Sequence, residues 1–166
     1  GKWEGKPCVS VAVNANDTGS GISHVEYCAD GVNWIKIAQS GLVRAFTEEG
    51  RHRLQARAVD NVGLTSGTIG TEILIDRSSP SISIAKSPSV GCTVADSVSV
   101  LLNAADTVSE VAEIRYRVNG GDWASGAGRS LSFDLADEGS YLIEALSEDL
   151  AGNESDPAFS RLMIDR

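Results

Sequence analysis

Shifted by 89 positions, the chain matches itself without a gap from Val9 to Arg77. "VSVAVNANDTGSGISHVEY" lies over "VSVLLNAADTVSEVAEIRY", and "EEGRHRLQARAVDNVG" over "DEGSYLIEALSEDLAG". Of the aligned positions 9–77, 21 are identical. A gapless match of this length means duplication of one folding unit, which limits the chain to a tandem of two similar small domains. The polar stretch "DRSSPS" after Asp76 is the natural boundary, with Pro80 holding the residue before it extended. The division predicted is residues 1–77 and 78–166.

Each copy reads as short alternating strands separated by turn residues. In the second copy these are "SISIA", "VSVLLN", "AEIRYRV", "SLSFDL", "SYLIEAL" and "FSRLMID". In "AEIRYRV", Ile114, Tyr116 and Val118 take one face and Glu113, Arg115 and Arg117 the other; the first copy sets Val25, Tyr27 and Ala29 inside. "DG" at Asp30–Gly31 and "NG" at Asn119–Gly120 mark turns that need positive φ. No segment carries a long helical period. Six or seven short strands in roughly 80 residues fit an immunoglobulin-like β-sandwich. The first copy has no counterpart of "SISIA", so its sandwich is predicted to lack the first strand or to borrow one.

The run of Ser-Gly-Ile (residues 20–22), Val-Glu-Tyr, Asp-Gly, Trp34, Glu-Gly and "ARAVDNVG" resembles the immunoglobulin-like repeats of bacterial surface and secreted proteins. "DLAGNES" in the second copy is close to the Ala-x-Asp-x-Ala-Gly-Asn pattern of such repeats, whereas the first copy has Leu64 where Asn is usual. The resemblance implies tandem modules that serve as spacers, stalks or accessory domains. Their expected place is the cell surface or the extracellular medium, and their expected partners are neighbouring domains of one longer chain. The opening on Gly1 fits a segment of such a chain.

Composition narrows the partners. The net charge is −9 and the pI about 4.6. That excludes nucleic acid and anionic membrane as expected partners, because phosphate binding needs clustered Lys and Arg. No stretch approaches the roughly 18 apolar residues of a membrane span. Residues 1–77 hold 8 basic and 9 acidic side chains, residues 78–166 hold 6 and 14. The acidic excess is therefore concentrated in the second copy, where it suits either a solvated surface or a cation.

No Gly-x-Ser-x-Gly elbow and no His/Cys ligand spacing occurs, so no catalytic residue is assigned. His24 and His52 are unrepeated, and His24 falls on the outward side of its strand. Cys8 and Cys28 are both read as outward, hence as free thiols. Trp34 and Trp123 hold equivalent positions past the turn. They read either as a carbohydrate-stacking platform or as lids on their own sandwiches; as buried lids, truncation would cost about 3–5 kcal/mol each. Trp3, whose counterpart is Cys92, is the aromatic expected to be exposed, and a ligand-binding reading for polysaccharide or a host surface protein falls on it.

The repeated acids are Asp17/Asp106, Asp60/Asp149 and Asp76/Asp165. Asp side chains of this kind serve turns by accepting nearby backbone N–H groups. Strand alternation also brings Asp106 and Asp149 to the pole of the second sandwich where the first copy ends on Asp76. These three carboxylates are accordingly an expected interdomain calcium site, since calcium takes 6–8 oxygen ligands in flexible geometry.

Overall fold

The computed structural model describes residues 1–89 and 91–166. It divides into two compact units, Gly1–Arg77 and Ser78–Arg166. Every regular element is a β-strand. The first unit contains β1 (Trp3–Glu4), β2 (Val9–Asn14), β3 (Ile22–Cys28), β4 (Ile35–Ile37), β5 (Gly41–Phe46), β6 (Gly50–Asp60) and β7 (Ile69–Ile75). The second contains β8 (Ser81–Ser87), β9 (Cys92–Thr93), β10 (Val98–Ala105), β11 (Val111–Val118), β12 (Ala124–Ala127), β13 (Ser130–Leu135), β14 (Gly139–Asp149) and β15 (Ala158–Ile164).

The second unit is a sandwich of two sheets, ordered β13-β10-β8 and β12-β11-β14-β15-β9. Its strands exist because their apolar residues recur at period two. Along β10, Val98, Val100, Leu102 and Ala104 are buried while the residues between them are exposed. They meet Ile114 from β11, Ile143 and Ala145 from β14, and Leu162 and Ile164 from β15. Full burial of one such aliphatic side chain is worth about 1.5–3 kcal/mol. Between the sheets, the rings of Tyr116 and Phe133 stack at 4.1 Å.

The first unit repeats this plan with one strand fewer. Its larger sheet is β1-β7-β6-β3-β4, and its smaller sheet is only β2-β5. β8 has no counterpart there. Tyr27, Phe46, Leu54, Ala56, Ile73 and Ile75 form its core. Both units carry a register shift at the same place, between Ile22 and His24 in β3 and between Val111 and Glu113 in β11.

Two parallel pairs complete the plan. β1 runs parallel to β7, and β9 parallel to β15. Strand pairs of this length carry no periodicity, and the sequence pattern does not reveal them. The strand order, with the first strand divided between the two sheets in the second unit, is that of an immunoglobulin-like domain. Among the described residues no helix is long and apolar enough to cross a membrane.

Candidate functional site

The Asp-x-x-Gly-x-x-Ser pattern, Asp60 to Ser66 and Asp149 to Ser155, closes the hairpin into the last strand of each unit. Asp60 Oδ1 accepts the N–H groups of Val62 and Leu64 at 3.0 and 2.8 Å. Asp149 Oδ1 accepts those of Ala151 and Asn153 at 2.8 and 2.9 Å. Gly63 and Gly152 sit at φ 87° and 89°, the left-handed region that favours glycine. The serine hydroxyl then reaches back two residues before the aspartate. Ser66 Oγ accepts the Ala58 N–H, and Ser155 Oγ the Ser147 N–H, each at 3.0 Å. The same loop is tied to the loop after β2 in the first unit and after β10 in the second, by Asn61 N–H to the Gly21 carbonyl and Leu150 N–H to the Glu110 carbonyl, both at 3.0 Å.

Within the second unit, Asp106 and Asp149 present carboxylate oxygens within 4.8 Å of each other. Asp106 lies on the loop after β10, and its Oδ1 accepts the N–H groups of Val108, Ser109 and Glu110. Asp149 Oδ2 also accepts the Asn153 side-chain amide at 2.7 Å. Converging N–H dipoles let two carboxylates approach one another. Asp17, the counterpart of Asp106, accepts Gly19 and Gly21 N–H groups. Asp76, the third residue of the expected ion site, follows β7 in the first unit, where its N–H donates to the Glu4 carbonyl at 3.2 Å.

The outer face of each larger sheet carries a Trp–Arg–Glu stack. The Arg57 guanidinium lies 4.3 Å over the Trp34 ring and bonds Glu26 at 2.7 Å. The Arg117 guanidinium lies 4.6 Å over the Trp123 ring and bonds Glu144 at 2.6 Å. The strands exchange roles: Arg57 comes from β6 and Glu26 from β3, whereas Arg117 comes from β11, the counterpart of β3, and Glu144 from β14. Each Arg–Glu pair is directly cross-strand. Its bond to Arg57 holds the Glu26 carboxyl below the usual range, against some desolvation. Trp34 and Trp123 are thus not buried lids; they are 36% and 42% exposed. Trp3, expected to be the exposed aromatic, is only half-buried, because β1 zips onto the β7 edge opposite Leu74.

Two residues that face outward, as expected, are nonetheless covered. His24 is 8% exposed and Cys28 2%. Both lie on the outer face of β3, as the alternation requires, but that face is not bare. His24 Nε2 stands 3.5 Å from Glu26, and its Nδ1 3.2 Å from Ser23 Oγ; the Cys28 thiol donates to Asp30 Oδ1 at 3.4 Å. Asp30 also accepts the backbone N–H groups of Asn33 and Val32, and these hold its carboxyl far below the usual range. Cys8, Cys28 and Cys92 are free thiols, with Cys8 and Cys92 exposed. His52 Nε2 donates to the Glu48 carbonyl at 2.7 Å and its ring packs against Phe46.

The feature most different between the two units is the outer edge of β2. β8 covers the equivalent edge of β10. The sequence signal for it was the absent counterpart of "SISIA".

The fold and these sites define two immunoglobulin-like β-sandwich modules in tandem. No protein-family model matches the chain, and no curated protein matches its sequence. Among solved structures, the chain is similar to the fibronectin(III)-like modules of Clostridium thermocellum CbhA, at 17% identity and a TM-score of 0.45, over 98% of this chain and 87% of that one. It is also similar to the D00-D0 domain of intimin, at 11% identity and a TM-score of 0.38, over 95% of this chain and 84% of that one.

Proposed function

We propose that the chain is a non-catalytic pair of spacer modules of a bacterial cell-surface or secreted protein, bearing tension and positioning a neighbouring adhesin or enzyme domain. The observation that carries this reading is the parallel pairing of β1 with β7 and β9 with β15. In a parallel pair, one strand is pulled from its start and the other from its end. In the first unit tension between the ends acts along β1 and β7 in opposite senses and shears their hydrogen bonds together; in the second, where β8 precedes β9, β9 and β15 take the load in the same way once β8 has parted from β10. Among these bonds are Asp76 N–H to Glu4 O at 3.2 Å, Met163 N–H to Gly91 O at 2.8 Å, and Asp165 N–H to Thr93 O at 3.0 Å. Further anchors follow the last strands: Arg77 N–H to Glu49 and Arg166 N–H to Glu138, at 2.9 and 3.2 Å. The test is to pull the chain by Gly1 and Arg166. Two discrete steps, releasing roughly 260 and 300 Å of chain, are expected. Gradual extension without steps would remove the reading.

Calcium belongs to the same proposal. Asp106 and Asp149 are the ligands the second unit would supply, and Asp76 is the ligand the sequence reading adds. A rise in melting temperature in millimolar calcium, reversed by chelator and lost in Asp106→Asn, is the expected outcome. Identical melting curves would leave these acids to their turns.

The alternative reading is an adhesive module for polysaccharide or a host protein. The part-exposed Trp34 and Trp123 favour it over Trp3, since indole faces stack on sugars and peptides alike. Saturable glycan binding lost in Trp34→Ala or Trp123→Ala would displace the spacer reading.

A further inference from the structure

We propose that the outer face of the first unit's larger sheet binds a carboxylate-bearing polysaccharide, with Arg53 taking the carboxylate and Gly70 flooring the groove beside it. The proposal deepens the adhesive reading, on which it rests, and leaves the spacer reading untouched. Duplication supplies an internal control. Along β6, Arg51, Arg53, Gln55 and Arg57 point outward, while Leu54 and Ala56 join the core. At the matching positions of β14 stand Ser140, Leu142, Glu144 and Leu146. The two strands hold the same place in the same fold, so the sandwich itself does not require the arginines. Lys36 adds a further cation to this face, opposite Glu26 on β3. The acids among its strands are Glu26 and Glu72, so the face is locally positive in a chain of net charge −9.

Arg53 is the open cation of this face. It is exposed, and its cross-strand neighbour Glu72 is bonded to Arg51 instead, at 3.3 Å. Among the described residues Arg53 has no ion pair. The Arg51–Glu72 pair is itself exposed and therefore weak, so Arg51 is free to change partner. Beside Arg53 lies a groove of about 520 Å³ lined by Gln55, Thr68, Gly70 and Glu72. Gly70 opens it. Gly70 stands opposite Gln55, whereas in the second unit Phe159 stands opposite Glu144 and occupies the matching place. The chemistry of the face selects the ligand. β6 is hydrogen-bonded on both edges, to β3 and β7. It offers side chains only, and an extended acidic peptide finds no free ladder to join. A nucleic acid would bring its dense phosphates to a chain of net charge −9. A polysaccharide with carboxylates meets neither obstacle. The planar Arg53 guanidinium takes a carboxylate through two parallel N–H bonds. The Gln55 amide offers both a donor and an acceptor to sugar hydroxyls. Trp34, stacked on Arg57 and 36% exposed, offers an indole to the apolar face of a sugar ring. Outward residues of one strand stand about 7 Å apart, so Arg53, Gln55 and Arg57 form a line along which a chain of sugars can lie.

Calorimetric titration of the full chain with an oligomer of galacturonic acid tests this. The comparison probes are the same oligomer fully methyl-esterified, which keeps the sugars and loses the charge, and an oligoglutamate peptide. Arg53→Leu and Gly70→Phe install the residues that the second unit carries at these positions. A Cβ at Gly70 meets Gln55 Cγ and Leu54 O at 3.5 Å, an ordinary contact, so both variants should keep the melting curve of the unsubstituted chain. The expected result is saturable binding of the acidic oligomer, weakened by salt and roughly tenfold weaker in either variant. Neither the ester nor the peptide should match it. Oligoglutamate binding as tight as that of the sugar acid would overturn the proposal, and so would an affinity that both variants leave unaltered. Equal binding of the ester would overturn it and leave the adhesive reading standing. Failure of both oligomers to bind would remove the two together.

Discussion

Ser155 Oγ accepts the Ser147 N–H at 3.0 Å, and Ser66 Oγ accepts the Ala58 N–H at the same distance. The bond is identical but its surroundings are not. Ser147 and Ser155 are buried, whereas Ser66 is exposed. Removing the acceptor strands a buried donor in one unit and a hydratable donor in the other. Ser155→Ala should therefore cost about 1–3 kcal/mol, and Ser66→Ala about 1 kcal/mol or less. Denaturant titration of the two variants, with the transition of each unit resolved, measures the difference. Equal costs would mean that burial does not set the value of this bond.

Gly63 and Gly152 give the same hairpin its left-handed residue, and neither has an atom near the position a Cβ would occupy. Alanine there meets only backbone strain. Each Gly→Ala change should destabilise its own unit by about 1–2 kcal/mol, alike in both. A negligible cost in either would show that the turn relaxes to another form.

Trp34→Ala and Trp123→Ala remove an indole that is more than a third exposed and stacked under arginine. The cation–π contact contributes about 0.5–1 kcal/mol at such a site. Each variant should cost less than the roughly 3–5 kcal/mol of a buried aromatic. Thermal melts of the two variants decide this, and a loss in the buried range would place the indoles in the cores after all.

Strand positions were legible because the residues that build them alternate. "SLSFDL" coincides with β13, and the absent counterpart of "SISIA" announced the two-stranded sheet of the first unit. β1, β9 and β12 were not legible: two to four edge residues pair through backbone alone. Alternation gives the outward phase of His24 and Cys28 but not what covers that face. The covering groups, such as Glu26 and Asp30, come from side-chain directions that alternation does not encode. Trp3 is half-buried for a related reason, since β1 docks on β7 through backbone pairing. The turn bonds of Asp60 and Asp149 were legible because a short acidic side chain before glycine has few other uses. The Trp–Arg stacks were not, because the two units draw the arginine from different strands.

Acid should weaken the first unit through Asp30, Asp60 and Glu26. All three carboxyls are held below their ordinary values of 3.8 for Asp and 4.5 for Glu. For Asp60 the chief cause is the Leu64 N–H. A carboxyl depressed in the folded state adds stability above its unfolded pKa and loses it as pH falls through the folded one. Stability should thus decline as pH drops below about 4.5 and continue to fall below the Asp values. Asp60→Asn keeps an acceptor oxygen but does not titrate, so it should flatten this limb in pH-dependent denaturation. An unchanged slope would assign the acid loss elsewhere.

Mechanical resistance through the parallel pairs is the central claim, and single-molecule pulling of Asp165→Pro tests it most directly. The substitution removes the N–H that donates to Thr93 O at 3.0 Å and leaves the buried core of the second unit intact. The unfolding force of the roughly 300 Å step should fall, while the force of the shorter step stays the same. A 300 Å step that unfolds at the force of the unsubstituted chain would contradict the claim that β9 and β15 resist tension in shear.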